Sequence, residues 1–226
     1  MNSQSVYRRA DVTIGCRPGD VALDCGACFG GTSIFFADRA GADGKVFSFE
    51  FFPGNLAVYN RNVALNPRLA ERIELVGNPV WSDDATEVVI EGSGPATQVH
   101  ARPSIPKTGF RSGLSGVFRN LFGDRSKPET ELSFRTVSID SFVEQQGVER
   151  VDFIKMDIEG AELTALRGAQ KTIERFRPSM AICVYHKLID FYIPQFLDHL
   201  DLSYKFHLQH GTVHGDETVL FAHARQ

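Results

Sequence analysis

The chain has 226 residues, of which 42% are hydrophobic, so it is long enough to bury a sizeable core in one domain. The formal net charge of -4 excludes a strong general attraction to nucleic acid or to anionic membranes. No run of about 18 apolar residues occurs, and the first residues lack the apolar core of a signal peptide. We therefore expect a cytoplasmic protein without a membrane span.

Strand and helix patterns alternate along most of the chain, which predicts a doubly wound α/β sheet. The first buried strand starts near Val21 and leads through a glycine-rich turn into a helix over 32–40. A second strand over 45–50 precedes a helix that begins at Pro53, and a third strand follows over 72–76. These elements form the first half of the predicted sheet.

Periodicity fades over residues 92–131, where Gly, Pro, Ser and basic residues dominate. We interpret this segment as an irregular insertion, either a solvated loop or a functional lid. Regular patterns return with the strongest strand, over 151–158, and with one long helix over 161–176. A further strand, a helix around 189–200 and a terminal hairpin over 203–222 complete the single predicted domain.

Two acids mark the ends of the first two strands. Asp24 precedes the glycine turn, which we define as residues 26–30, and Glu50 closes the second strand. Because parallel strands present their carboxyl ends at one edge of a sheet, both acids should border one ligand site. Glycines in the turn allow the backbone to approach a ligand closely. Glu50 is placed to accept hydrogen bonds from ribose hydroxyls.

The glycine turn does not follow the dinucleotide pattern G-x-G-x-x-G. Cys28 stands where the second glycine would be, and Asp24 would repel a pyrophosphate. A carboxylate at this position suits S-adenosylmethionine (SAM) better than a dinucleotide, because SAM carries an amino group and a sulfonium and has no phosphate. We therefore expect SAM as the cofactor. The alternative is an ordinary strand–turn–helix in which Asp24 only caps the helix.

A second group of carboxylates surrounds the end of the strongest strand, at Asp157, Glu159 and Glu162. Alternation along the strand places Lys155 and Asp157 on the same face. Asp157 is the acid that we expect to contact cofactor or substrate. Glu159 and Glu162 are also explained by the favourable interaction of acids with the start of a helix.

The chain resembles the FkbM-type SAM-dependent methyltransferases. The resemblance spans about residues 18–222, apart from the insertion, and its most specific part is the Lys-Met-Asp-Ile-Glu-Gly-Ala-Glu run over 155–162. It implies a class I methyltransferase (Rossmann-like) fold, with a seven-stranded, mostly parallel sheet, an antiparallel last strand and helices on both faces. It also implies O-methylation of a hydroxyl on a sugar or a secondary metabolite.

The same resemblance implies a set of cofactor contacts. These are Asp24, Gly26 and Ala27 at the methionine end of SAM, Gly30 in the turn, Glu50 at the ribose, Phe51 beside the adenine, and Ser82 and Asp83 at the edge of the base.

Methyl transfer to a hydroxyl requires a base or a metal, because the hydroxyl is a poor nucleophile until its proton leaves. His186, at the end of the fifth strand, is the first candidate for this base, since a histidine pKa lies near neutral pH. Asp157 and Glu159 complete the candidate catalytic set. The sequence leaves open whether the reaction also needs a divalent cation. The candidate ligands are Asp157, His186 and His210.

The expected partner is a small-molecule or glycan acceptor and not a nucleic acid, and a homodimer is considered as well. Two other functional classes stay open. One is a non-catalytic nucleoside-binding module that has kept the fold without the chemistry. The other is an NAD(P)-dependent oxidoreductase, which the missing second glycine disfavours.

Overall fold

The computed structural model describes residues 5–9, 12–91, 98–101, 132–185, 191–211 and 218–224. Its strands are β1 (Val6–Arg9), β2 (Val12–Gly15), β3 (Val21–Cys25), β4 (Lys45–Phe49), β5 (Ile73–Val76), β6 (Glu87–Glu91), β7 (Gln98–Ala101), β8 (Ser133–Arg135), β9 (Phe153–Met156), β10 (Ser179–Cys183), β11 (Tyr204–His210) and β12 (Thr218–Ala224). Its helices are α1 (Gly31–Ala40), α2 (Pro53–Ala64), α3 (Pro67–Ala70), α4 (Ile139–Gln145), α5 (Glu162–Arg167), α6 (Gln170–Phe176) and α7 (Tyr192–His199). None of these helices has the length and apolar character needed to cross a membrane.

A seven-stranded sheet forms the centre of the fold, in the order β11-β12-β10-β9-β3-β4-β5. The strands from β10 to β5 pair in parallel, whereas β12 runs antiparallel to both β10 and β11. This arrangement confirms the predicted mostly parallel sheet with an antiparallel last strand. The chain leaves β3 towards β4 on one side and returns at β9 on the other, and ligands of such sheets bind at the carboxyl ends of these strands.

Both faces of the sheet are covered, as predicted. One hydrophobic cluster packs α4, α5, α6 and α7 against one face, and a second packs α1 and the β1–β2 hairpin against the other. Neighbouring residues of β9 show the alternation, because Phe153 belongs to the second cluster and Ile154 to the first. Phe153 meets Phe36 of α1 edge to face, with 5.3 Å between ring centroids.

The single helix predicted over 161–176 is wrong, because the structure has two helices, α5 and α6, with a break at Gly168. Gly168 lies against a distant loop, so that a Cβ there would be 2.2 Å from the carbonyl oxygen of Trp81. The new helix is capped by Asp140, whose carboxylate accepts a hydrogen bond of 2.8 Å from the N–H of Thr172. Both causes of the break are contacts with remote segments, which local periodicity does not show.

Two small sheets flank the central one, and neither is predicted from the sequence. β1 and β2 form an antiparallel hairpin, and β6 pairs with both β7 and β8. β7 falls inside the segment predicted as irregular, so that prediction is wrong for residues 98–101, which are ordered by pairing with β6. The other residues of 92–131 lie outside the described part, and the single-domain interpretation stays a prediction.

Candidate cofactor site

A cavity of about 360 Å³ opens at the carboxyl ends of β3, β4, β5 and β9. This volume lies within the range of small-molecule sites, and the walls are mostly apolar with a few polar groups. The lining residues are Gly26, Cys28, Phe29, Phe49, Glu50, Phe51, Phe52, Asn55, Asn78, Pro79, Val80, Asp157, Ile158 and Glu159. Five residues of the predicted site are therefore brought together: Gly26, Glu50, Phe51, Asp157 and Glu159.

The glycine turn brings backbone directly against Asp157, the residue that follows β9. Gly26 has φ +81°, and a Cβ on it would lie 1.9 Å from the carbonyl oxygen of Asp157, so only glycine fits. The N–H groups of Gly26 and Ala27 both donate to the carbonyl oxygen of Phe49 at 3.0 Å. Ala27 is buried, and neither Ala27 nor Gly30 lines the cavity.

Glu50 is 6% exposed, and its carboxylate accepts four hydrogen bonds. Oε1 accepts from the N–H groups of Phe51 and Phe52, both at 2.8 Å. Oε2 accepts from the N–H of Cys28 at 2.9 Å and from Nδ2 of Asn55 at 3.2 Å. A carboxylate has about four lone-pair positions, so a ribose hydroxyl would have to replace one of these donors. The Asn55 amide makes the longest of the four bonds and belongs to a side chain, so it is the donor most readily replaced.

An aromatic wall borders the cavity beside Glu50. The ring of Phe51 meets the ring of Phe134 edge to face, with 5.0 Å between their centroids. Phe134 belongs to β8, and the adjacent Arg135 accepts a hydrogen bond of 2.9 Å on its carbonyl oxygen from Asn78 Nδ2. The small sheet of β6, β7 and β8 therefore supports this wall. Phe134 does not line the cavity itself, and sequence reasoning misses its support of Phe51 because no motif links the two residues.

Asp157 lines the cavity and is held by a neighbouring strand. Its Oδ1 accepts a hydrogen bond of 2.8 Å from the hydroxyl of Tyr185, which follows β10. Burial and the negative charge of Asp157 raise the pKa of Tyr185 well above its ordinary value, so this hydroxyl keeps its proton and acts as a donor. Tyr185 is not among the predicted residues, and the only sequence signal for it is its position next to His186.

Glu159 is an exposed residue at the rim of the cavity. Its φ of +58° lies in the left-handed region, which residues with a side chain rarely adopt. Such strained positions cluster at functional sites. Its predicted catalytic role stays a prediction.

Asp24 does not line the cavity, although it belongs to the predicted cofactor contacts. It is fully buried, its Oδ2 accepts a hydrogen bond of 2.6 Å from Ser33, and its Oδ1 lies 3.4 Å from Nζ of Lys155. Although burial alone would lower the pKa of Lys155, the negative charges of Asp24 and Asp157 raise it above its ordinary value. The charge of Asp24 is therefore compensated beneath the glycine turn, and Asp157 is the acid that reaches the cavity from this side.

Ser82 and Asp83 do not line the cavity either. Asp83 Oδ1 accepts hydrogen bonds from the N–H groups of Ala85 and Thr86, at 2.9 and 2.8 Å. Although slight burial opposes them, these bonds lower the pKa of Asp83 below its ordinary value. The carboxylate thus stabilises its own turn, and this side of the cavity is formed by residues 78–80 instead.

The candidate base and metal ligands are not assembled in the described part of the chain. His186 lies outside the described residues, so its role stays a prediction. His210 is exposed on the outermost strand, where its Nδ1 lies 2.8 Å from the hydroxyl of Thr218, and it does not line the cavity. Among the residues that the structure describes, no three His, Cys, Asp or Glu side chains are grouped so that they could hold a metal ion.

Solved structures of several methyltransferases share this fold. The FkbM methyltransferase of Methylobacillus flagellatus KT aligns with a TM-score of 0.66 and 20% identity, over 99% of this chain and 48% of that chain. This chain thus spans about half the length of that relative. A putative rRNA-methylase of Clostridium thermocellum aligns at 0.54 and 11% identity, over 93% and 89% of the two chains. Aeropyrum pernix fibrillarin, solved with natively bound SAM, aligns at 0.53 and 14% identity, over 92% and 67%.

The structural alignments establish a class I methyltransferase fold for the chain. At these low identities they establish nothing finer. The curated protein sequences give no match. The family model described as the methyltransferase FkbM domain matches residues 24–211, which include the whole cavity, five of the seven strands of the central sheet and the end of β3. The chain therefore belongs to the FkbM methyltransferase family.

Proposed function

We propose that the chain is a SAM-dependent methyltransferase that methylates a hydroxyl on a sugar or a secondary metabolite. The observation that supports it most directly is the cavity in which the carboxylates of Glu50 and Asp157 flank the glycine turn. The acceptor in this proposal is a small molecule or a glycan and not a nucleic acid, which agrees with the net charge of -4.

The residues of the cavity fit SAM in size, polarity and charge. The volume of about 360 Å³ suits a nucleoside with an amino-acid arm, and the Phe51 ring offers an apolar face for a base. Glu50 offers oxygen atoms for ribose hydroxyls once Asn55 gives way. Asp157 places a negative charge close to Gly26, where a sulfonium and an amino group would be attracted.

When bound, SAM supplies an electrophilic methyl group on its sulfonium. The task of the chain is then to orient the acceptor hydroxyl and to remove its proton. In this proposal Asp157, whose Oδ1 accepts a hydrogen bond from the hydroxyl of Tyr185, also accepts a hydrogen bond from the acceptor. We assign the removal of the proton to His186, which follows Tyr185 directly in the chain. His186 would then hold the proton that the acceptor oxygen loses on methylation.

Isothermal titration with SAM and with S-adenosylhomocysteine tests the cofactor part of the proposal. We expect both to bind to a single site, and NADH to give no heat of binding under the same conditions. If folded protein binds neither adenosyl compound, the proposal is wrong, and binding of NADH alone would favour an oxidoreductase.

Transfer of a labelled methyl group from SAM to a panel of sugars, polyols and phenols tests the catalytic part. We expect label in at least one hydroxylated acceptor. Tight binding of SAM without transfer to any acceptor would instead support a nucleoside-binding module.

A further inference from the structure

We propose that Lys155 is a positioning residue for the cofactor, which acts through the carbonyl group of Gly26 and whose charge the carboxylate of Asp24 balances. The inference rests on the proposed binding of SAM in the cavity. Lys155 itself does not line the cavity, so its effect on the cofactor would be transmitted by the glycine turn.

Lys155 projects from β9 into the interior beneath the glycine turn. Its residue is only 2% exposed, so the ammonium has exchanged its contacts with water for contacts with protein. Nζ donates a hydrogen bond of 2.8 Å to the carbonyl oxygen of Gly26 and lies 3.4 Å from Oδ1 of Asp24. One buried cation therefore contacts both the turn and the strand that leads into it.

A chain of buried hydroxyls extends this contact to two further elements. Ser48 of β4 donates to the hydroxyl of Ser33 in α1 at 2.8 Å, and Ser33 donates to Oδ2 of Asp24 at 2.6 Å. The second oxygen of Asp24 faces Lys155. The ammonium therefore closes a polar network that joins the ends of β3, β4 and β9 to the start of α1, which are the elements around the turn.

The peptide groups of Gly26 are held on both sides. Its N–H donates to the carbonyl oxygen of Phe49, and its own carbonyl oxygen accepts from Lys155. Without the ammonium, that carbonyl group would lose a charge-assisted hydrogen bond and could rotate. Because Gly26 lines the cavity beside Asp157, such a rotation would change the surface that meets the methionine end of SAM.

The charges of Lys155 and Asp24 compensate each other, which allows geometry and charge to be separated by experiment. A double variant that removes both charges leaves the net charge next to the cavity unchanged, with Glu50 and Asp157 intact. A loss of affinity in that variant would report on the position of the turn. It would not report on a change in electrostatic attraction for the sulfonium.

The experiment compares Asp24→Asn with the double variant Asp24→Asn/Lys155→Met. Both variants lack the carboxylate of Asp24, and Asp24→Asn keeps the hydrogen bond between Lys155 and Gly26, so their difference in affinity reports on Lys155 alone. We expect the double variant to unfold cooperatively. By titration calorimetry it should nevertheless bind SAM and S-adenosylhomocysteine at least about tenfold more weakly than Asp24→Asn does. The matched control is Lys45→Met/Glu74→Gln, which removes a surface pair with a distance of 2.6 Å between Nζ and Oε2 and should bind as wild type.

Amide hydrogen exchange of the ligand-free variants gives a readout that does not depend on SAM. We expect the amides of residues 26–30 to exchange at least about tenfold faster in the double variant than in Asp24→Asn, with the core of β9 unchanged. Equal affinity and equal exchange in the two variants would overturn the role of Lys155. If wild type binds neither adenosyl compound, the proposed function is wrong, and the exchange rates still decide whether Lys155 holds the turn. Should the Met variant not fold, Lys155→Gln in the same background takes its place.

Discussion

Single residues at this site make several contacts at once, and a sequence motif does not show them. Glu50 is predicted as a ribose ligand, and the structure shows that it also joins the glycine turn to the start of α2 through Cys28 and Phe52. Its carboxylate is therefore fixed before any ligand arrives. A preorganised acceptor of this kind improves affinity because less freedom is lost on binding.

Replacement of Glu50 by alanine should lower the affinity for SAM at least about tenfold, because the ribose loses a charged acceptor and the turn loses its tie to α2. Titration calorimetry measures this change. The matched control is Asn55→Ala, which removes only the donor that the ribose would replace and should leave the affinity within about threefold. Unchanged affinity in Glu50→Ala would refute the ribose assignment.

Removal of the hydroxyl of Tyr185 tests the role of Asp157. Tyr185→Phe removes the donor to Oδ1 of Asp157, so we expect methyl transfer to slow about tenfold while SAM binding changes little. The control is Tyr204→Phe, which removes a buried bond of 2.8 Å to the carbonyl oxygen of Pro178 at the opposite end of the sheet. Both variants should lose about 1 kcal/mol of stability, and only the first should lose rate. Equal rates in the two variants would contradict a positioning role for Tyr185.

At the scale of elements, the site depends on segments that are remote in sequence. The cavity wall at Phe51 is backed by Phe134 of β8, and the break between α5 and α6 is set by the loop at Trp81. That loop continues from residues 78–80, which line the cavity. The packing of these helices and the shape of the cavity are therefore coupled.

Gly168→Ala tests the contact that separates α5 from α6. The added Cβ would meet the carbonyl oxygen of Trp81 at 2.2 Å, so we expect a loss of about 2 kcal/mol in the free energy of unfolding. The φ of Gly168 is -79°, so backbone strain does not contribute. Gly77→Ala is the control, because a Cβ there meets nothing within 4 Å. Equal stability of the two variants in urea would show that the loop yields without cost.

At the scale of the whole molecule, the central sheet can be predicted from the sequence because its strands are short apolar runs bounded by turn residues. The β1–β2 hairpin cannot, because it is stabilised by contacts with the other end of the chain. The ring of Tyr7 lies 4.8 Å from that of His207 and 5.6 Å from that of Phe221, measured between centroids. No local pattern records such contacts.

Only part of the site can be predicted from the sequence, because some of its residues are placed by contacts between segments that are remote in sequence. Gly26, Glu50 and Asp157 follow directly from the ends of strands, where the topology alone brings them together. The burial of Asp24 depends on Lys155, which approaches the glycine turn from a position 129 residues away. Sequence spacing identifies acids at the sheet edge, but it does not show which of their negative charges is balanced by a buried lysine.

The fold also predicts how stability depends on pH. Burial, followed by the charges of Asp20 and Asp152, raises the pKa of Cys16 from 9.0 to about 12. Between these values the unfolded chain has lost a thiol proton that the folded chain keeps, so stability falls as pH rises from 9 towards 12. The loss from this thiol is at most about 4 kcal/mol.

Urea unfolding of wild type and of Cys16→Ala over this pH range measures the effect. We expect a steeper loss of stability in wild type, by up to about 1.4 kcal/mol per pH unit. Parallel curves for the two proteins would show that the thiol of Cys16 is not protected by the fold.

The most direct test of the account is a crystal structure of the chain grown with S-adenosylhomocysteine. We expect the ligand in the cavity at the carboxyl edge, with ribose oxygens within hydrogen-bonding distance of Glu50 and the amino-acid arm against Gly26 and Asp157. Ligand density elsewhere on the molecule, with the four donors to Glu50 undisturbed, would contradict it.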